Sequence, residues 1–216
     1  MTGKDLDRRM FLKGAAALAA LVPASALLSG CGMQAANEDA IVTGEDGGAP
    51  ADPSALPSST LVVYYSATGN TERVAQAIAE HLDADVFEVT PADPYTEADL
   101  DYNDDDSRVS REYVNYERVV DLVKTTPDGF EGYGTVFVGY PIWWGENSWV
   151  INEFAIENDF SGKTIIPFCT SASSPIGTSA QDLAAMAGTG EWRDGQRFAS
   201  DVSADEVTAW VDGLGL

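Results

Sequence analysis

Three short stretches hold the residue types that could do chemistry. SATGNT (66–71) follows an apolar run and crowds the hydroxyls of Ser66, Thr68 and Thr71 around Ala67, Gly69 and Asn70, where a helical pattern begins. PIWWG (141–145) ends another apolar run with two adjacent tryptophans, and TSAS (170–173) ends a third. A turn leading into a helix offers free backbone N–H groups and the positive end of the helix dipole, and hydroxyls add neutral donors; the first stretch therefore suits one terminal phosphate. It holds no lysine, which argues against a triphosphate with magnesium. The chain's GK[ST], Gly162-Lys163-Thr164, has Glu157 where a phosphate loop needs its first glycine, and no G-x-G-x-x-G follows the first strand. A bare helix cap is the plain structural alternative for Asn70 and Thr71. Tryptophans at a strand end expose large apolar rings unless something covers them; a flat aromatic ligand would do so, and packing on the core or on an acidic loop is the competing account. The third stretch supplies hydroxyl and N–H donors suited to the polar edge of a ring.

What the chain lacks narrows the chemistry further. Two cysteines, Cys31 and Cys169, and one histidine, His81, cannot assemble a Cys/His metal cluster. His81 falls near the end of an amphipathic helical pattern, where a cation is ordinary, so a Ser-His-acid triad has little to build on. The net charge is −23 over 216 residues, and residues 32–216 carry 33 acidic and 8 basic groups. Such a surface repels nucleic acid and anionic lipid and favours basic protein partners; solubility alone is the simpler explanation of the same charge.

The elements that must position these stretches alternate. Apolar runs at 60–65, 86–89, 135–140 and 164–169 read as strands, with a weak fifth at 197–199. Helical patterns cover 70–82, with Val74, Ile78 and Leu82 on one face, 148–158 and 179–187. A further helix is expected where Val109, Tyr113, Tyr116, Val120 and Val123 repeat at four and three before Pro127. The last helix opens on SADE (203–206), a capping box, and presents Val207, Trp210, Val211 and Leu214. Strands alternating with helices, several strands apolar throughout, predict an α/β fold with a parallel sheet covered on both faces. In such a sheet ligands collect beyond the carboxyl ends of the strands where strand order reverses, which is where the three stretches fall.

The first 31 residues resemble an address. Arg8-Arg9 followed by Phe11, Leu12 and Lys13 resembles a twin-arginine export signal, and the apolar run after it, broken by Pro23, is too short for a comfortable membrane span. LSGC (28–31) resembles a bacterial lipobox, which implies lipidation of Cys31 and anchoring to the outer face of the cell membrane; an ordinary secretory signal with an incidental cysteine is the alternative. Residues 32–59, rich in Ala, Gly, Ser, Pro and acid, read as a flexible linker reaching about 30 Å, and residues 60–216 as one domain.

Taken together, SATGNT after the first strand, PIWWG after the third and GKTIIPFCTSAS (162–173) around the fourth resemble the flavodoxin family over about residues 60–214. The resemblance implies a three-layer, doubly wound sandwich with a five-stranded parallel sheet in the order 2-1-3-4-5, and FMN at the switch point, a placement carried over with the family. It implies phosphate contacts from Ser66, Thr68, Asn70 and Thr71 with backbone help from Ala67 and Gly69. Pro141, Ile142, Trp143, Trp144 and Gly145 would flank the isoalloxazine, one tryptophan against a face. Thr170, Ser171, Ala172 and Ser173 would meet the pyrimidine edge. Gly145 would let its peptide reorient on reduction, favouring the one-electron-reduced state. The third stretch has no aromatic residue, so the second ring face needs another cover, for which Tyr95, Tyr102 and Tyr113 are candidates. Carboxylates near the ring, Asp104 to Asp106 or Glu146, would lower the potential. The implied function is an exported electron carrier docking basic redox proteins; the alternatives are an NAD(P)H:quinone-type flavin reductase and a non-redox lipoprotein module on the same fold.

Overall fold

The structure, a computed structural model, describes residues 59–116 and 118–216. The expected export signal with Cys31 and the linker up to residue 58 lie outside the described residues. The strands are β1 (Ser59–Tyr64), β2 (Asp85–Glu88), β3 (Tyr133–Trp143), β4 (Glu146–Asn147), β5 (Thr164–Thr170), β6 (Glu191–Trp192) and β7 (Gln196–Phe198). The helices are α1 (Asn70–Leu82), α2 (Arg108–Val114), α3 (Asn152–Glu157), α4 (Ser179–Ala187) and α5 (Ala204–Asp212).

Parallel pairing runs β2-β1-β3-β5, and the fifth position is shared by β6 against the start of β5 and β7 against its end. This is the expected order, but with seven strands in place of the expected five: the short β4 pairs antiparallel with the end of β3 because the chain turns back there in a tight hairpin, and the last strand is split in two. The break has a local cause: Ile165 pairs with Trp192 and Phe168 with Gln196, so residues 193–195 pass Pro167, which has no N–H to donate to a ladder. Strand order reverses between β1 and β3, so the crevice opens beyond Tyr64 and Tyr140.

Alternation along the strands sorts two cores. Val62, Tyr64, Phe137, Ile166 and Phe168 meet Val74, Ala75 and Ile78 of α1 and Val207 and Val211 of α5. Leu61, Val63, Val136, Val138, Tyr140, Ile165 and Cys169 meet Trp149, Phe154, Phe160 and Leu183 on the other face, with Val109 of α2. The α5 capping box forms as the sequence indicates: Ser203 Oγ accepts from Glu206 N–H, and the Glu206 carboxylate accepts from Ser203 N–H. Among the described residues no helix is long and apolar enough to cross a membrane.

The helix expected through Val123 stops early. α2 ends at Val114, Tyr116 turns into the left-handed region at φ 55°, and Tyr116 and Val123 lie exposed while Val120 is buried. Tertiary pairing overrides the periodicity: Ala92 N–H donates to Asp121 O (2.7 Å) and Val123 N–H to Thr90 O (2.9 Å), drawing 120–123 out alongside the chain that leaves β2. Valines at 119, 120 and 123 are weak helix formers and yield readily. The helix expected over 148–158 forms as a 3-10 turn (Trp149–Ile151) continued by α3.

Candidate functional site

Loop one, residues 66–71, leaves β1 at the switch point. Gly69 occupies the N-cap of α1 at φ 81° and gives no side-chain cap, so the helix's leading N–H groups keep no intrahelical acceptor. Ser66 Oγ is buried without a hydrogen-bond partner, an atom that a ligand acceptor would complete. Asn70 Nδ2 donates to Thr68 Oγ1 (3.1 Å), and both residues stay accessible. Thr71, buried at 1% exposure, shares a 2.8 Å hydrogen bond with Thr170, tying loop one to loop three.

Loop two is a tight hairpin. Trp143 pairs with Glu146, leaving Trp144 and Gly145 as a two-residue turn with φ of 48° and 84°, the primed geometry that suits strand twist. Glycine adopts it freely; tryptophan does not, and a bulky residue at positive φ is an outlier that points to function. Trp144, 39% exposed, is held by stacking on Tyr113, centroids 4.8 Å apart and planes 11° apart. Trp143 packs edge-on among Tyr65, Tyr95 and Trp149. Ile142 joins the same core, and Pro141 O accepts from Ser148 N–H (3.0 Å).

Loop three follows β5. Thr170 is buried, Ser171 half-buried, and Ala172 and Ser173 exposed. Arg197 of β7 grips it: Nε donates to Ser171 Oγ (3.0 Å), and Nη2 to the carbonyls of Ser171 (2.7 Å) and Ala172 (2.9 Å). Ser171 Oγ also donates to Ser174 O. Further on, Gly177 approaches loop two, where a methyl group on its Cα would lie 3.8 Å from Gly145 O. The three loops thus meet around one crevice.

The acidic segment after β2 closes its flank. Tyr95, Thr96, Leu100 and Asp101 line a cleft of about 810 Å³ with Ala67 and Thr68 of loop one. Of the tyrosines expected as ring covers, Tyr95 lines this cleft, Tyr113 is taken up by Trp144, and Tyr102 is 72% exposed. Glu112 holds the segment down. Its carboxylate accepts from Tyr95 Oη (2.6 Å), Trp149 Nε1 (2.7 Å) and Arg108 Nε (2.8 Å), and the Arg108 guanidinium sits 4.0 Å over the Tyr95 ring. Burial and donation to Glu112 push the Tyr95 hydroxyl far above the usual phenol range, so it stays a donor. Glu146 pairs with Arg118 at 3.2 Å, which neutralises it; Asp104 to Asp106 lie exposed, while Asp101 borders the cleft.

Glu112 and Arg197 escaped the sequence analysis. The four-residue spacing of Arg108 and Glu112 was a usable signal for the first; nothing local marks Arg197, whose partners are brought to it by sheet pairing.

A doubly wound α/β protein with donor-rich loops gathered at its switch point defines the class of nucleotide-type ligand binders. A family model described as Flavodoxin matches residues 59–214. A protein from Bacteroides eggerthii assigned as a flavoprotein is 35% identical, with 73% of this chain and 98% of that chain covered at a TM-score of 0.66. One from Bacteroides uniformis, likewise assigned, is 38% identical over 71% and 97%, also at 0.66. A flavoprotein from Lactobacillus acidophilus in complex with FMN is 20% identical over 71% and 98% at 0.49, too distant to carry anything across. No curated protein matches. The chain belongs to the flavodoxin family. The residues present fit that family's ligand at its phosphate end, since the orphaned Ser66 hydroxyl and the uncapped start of α1 are donors waiting for an acceptor.

Proposed function

We propose that the protein binds FMN at this crevice and works as an exported, lipid-anchored electron carrier that docks redox proteins with basic surfaces. Bound FMN supplies the redox chemistry, accepting and releasing electrons. The chain's own residues do the rest. Ser66, Thr68, Asn70 and Thr71, with the N–H groups around Ala67 and Gly69, hold the phosphate with neutral donors. Trp144 and Gly145, with Pro141, Ile142 and Trp143 behind them, wall one side, and Thr170 to Ser173 the other. Tyr95 and the acidic segment limit water at the open flank.

The observation that carries this proposal is the buried, partnerless Ser66 Oγ at the uncapped start of α1, in a chain whose family membership is established. The acidity of the mature chain supports basic partners and a low potential. The resemblance of residues 28–31 to a lipobox supports the anchor.

Purified from the membrane fraction, the protein is expected to be yellow and to release FMN on denaturation. Stepwise reduction is expected to pass through a long-lived one-electron-reduced form. Direct two-electron bleaching by NAD(P)H, with no added reductase, would replace the carrier with a reductase; colourless protein that ignores added FMN would leave a binding module.

A further inference from the structure

We propose that Arg197 sets the charge balance of the site, so that the site binds reduced FMN more tightly, relative to oxidised FMN, than the acidic surface alone would allow. The inference rests on the FMN proposal above and concerns a residue that no loop motif contains.

Three observations lead to it. Arg197 is bonded directly to loop three through Ser171 Oγ and the carbonyls of Ser171 and Ala172, so its guanidinium stands behind a wall of the crevice. Loop three is itself tied to loop one through Thr170 and Thr71. All of these partners are neutral, and among the described residues Arg197 forms no ion pair, so its charge is not cancelled locally.

The other cations differ in one respect or the other. Arg108 is matched by Glu112 and Asp93, Arg118 by Glu146 and Lys124 by Asp128, and Arg111 of α2 bonds the carbonyl of Asp106 in the exposed acidic segment, not a loop of the crevice. Lys163 at the opposite end of β5 donates to the carbonyls of Phe130, Glu131 and Tyr133, and Arg193 to that of Leu214. Arg73 bonds Ser200 O from the first turns of α1, beside the phosphate end, where the ligand's charge is the same in both redox states.

Reduction by two electrons with uptake of one proton leaves one more negative charge in the crevice. Carboxylates such as Asp101 oppose that charge; an uncancelled guanidinium favours it. The carbonyl dipoles of Ser171 and Ala172, engaged by Arg197, are also less able to oppose it. Two unit charges about 10 Å apart at an effective dielectric near 20 interact strongly enough to shift a binding ratio by about tenfold.

The test compares affinities for oxidised FMN and for dithionite-reduced FMN, measured anaerobically by calorimetry on the full chain. The variants are Arg197→Gln, which removes the charge but can still bond a carbonyl, Arg197→Lys, which keeps it, and Arg193→Gln, which removes an equal charge far from the loops. Arg197→Gln is expected to lower the reduced-to-oxidised affinity ratio about tenfold, equivalent to about 30 mV for a two-electron couple. Arg197→Lys and Arg193→Gln are expected to stay within about threefold of wild type. Equal weakening of both forms in Arg197→Gln, with the ratio intact, would leave Arg197 a loop brace and overturn the proposal. If Arg197→Gln does not fold, a tenfold drop in Arg197→Lys likewise overturns it, since charge is then not what matters. Wild type that binds neither form removes the FMN proposal and this one together, a failure visible before any variant is made.

Discussion

The two faces of the sheet are built on different terms. The α1/α5 face is closed by aliphatic side chains and a few rings, Trp210 meeting Phe137 and Phe198 edge-on, and among the described residues the one side-chain atom buried without a partner next to it is Ser66 Oγ, in the loop that enters α1. The opposite face carries most of the aromatic rings, the buried carboxylate of Glu112 and partnerless atoms of Arg118, Ser148 and Asn158. The first face is a support that transfer of apolar surface from water suffices to hold. The second faces the crevice, and its polar groups cost stability unless every partner is kept. Conformational specificity beside the site is therefore concentrated in a few charged residues, whereas the far face spreads its stability over many contacts.

Substitutions can break this contrast. Glu112→Leu removes the shared acceptor of Tyr95, Trp149 and Arg108 and leaves the Arg108 guanidinium to Asp93 alone; a loss of about 3 kcal/mol is expected from urea unfolding. A loss below about 1 kcal/mol would show that the aromatic face stands without its polar clamp. On the support face, Gly139 lies across from Phe168 in the β3–β5 register, and a methyl group there would come within 2.1 Å of the Phe168 ring. Gly139→Ala should destabilise by about 2 kcal/mol, and adding Phe168→Leu should recover part of it; two independent, additive losses would mean that the strain is not steric.

Smaller effects sharpen the contrast. Gly145→Val forces a branched residue to φ 84° and should cost about 1 kcal/mol while lowering the yield of one-electron-reduced FMN in a redox titration; an unchanged yield would detach the turn from redox behaviour. His81 and Asp212 join α1 to α5 at 2.7 Å with side chains 32% and 70% exposed. His81→Gln should change stability by about 0.5 kcal/mol at most, and a larger loss by thermal melting would mean that the support face also leans on a polar side-chain pair. Cys169, buried between β3 and β7, has its thiol pushed up to about 12 by burial. The unfolded thiol ionises first, so this residue's contribution to stability is full below about 9 and is lost as pH rises towards 12.

Legibility followed the same division. α1 and α4 occupy the expected spans because Val74 and Ile78, and Leu183, need only face a flat sheet, and a local 3.6-residue period states that need completely. The loops were legible as stretches because small residues at strand ends have few other uses. The segment from 91 to 123 was not: its valines and tyrosines keep helical spacing, yet Pro91 bridges Leu122 and Thr90 accepts from Val123, contacts between residues about thirty apart that no local pattern encodes. Trp143 and Trp144 could be flagged but not assigned, since what their rings meet depends on Tyr95 and Tyr113 from that same segment.

The alternation of strands with helices and the donor chemistry of residues 66–71 were determined by sequence alone, because each depends on neighbours within a few positions. Which tryptophan stacks on which ring, which carboxylates are neutralised and where Arg197 places its charge were decided only by the tertiary structure. Side-chain chemistry is local, but electrostatic balance depends on distances between groups far apart in the chain, and only folding sets those distances.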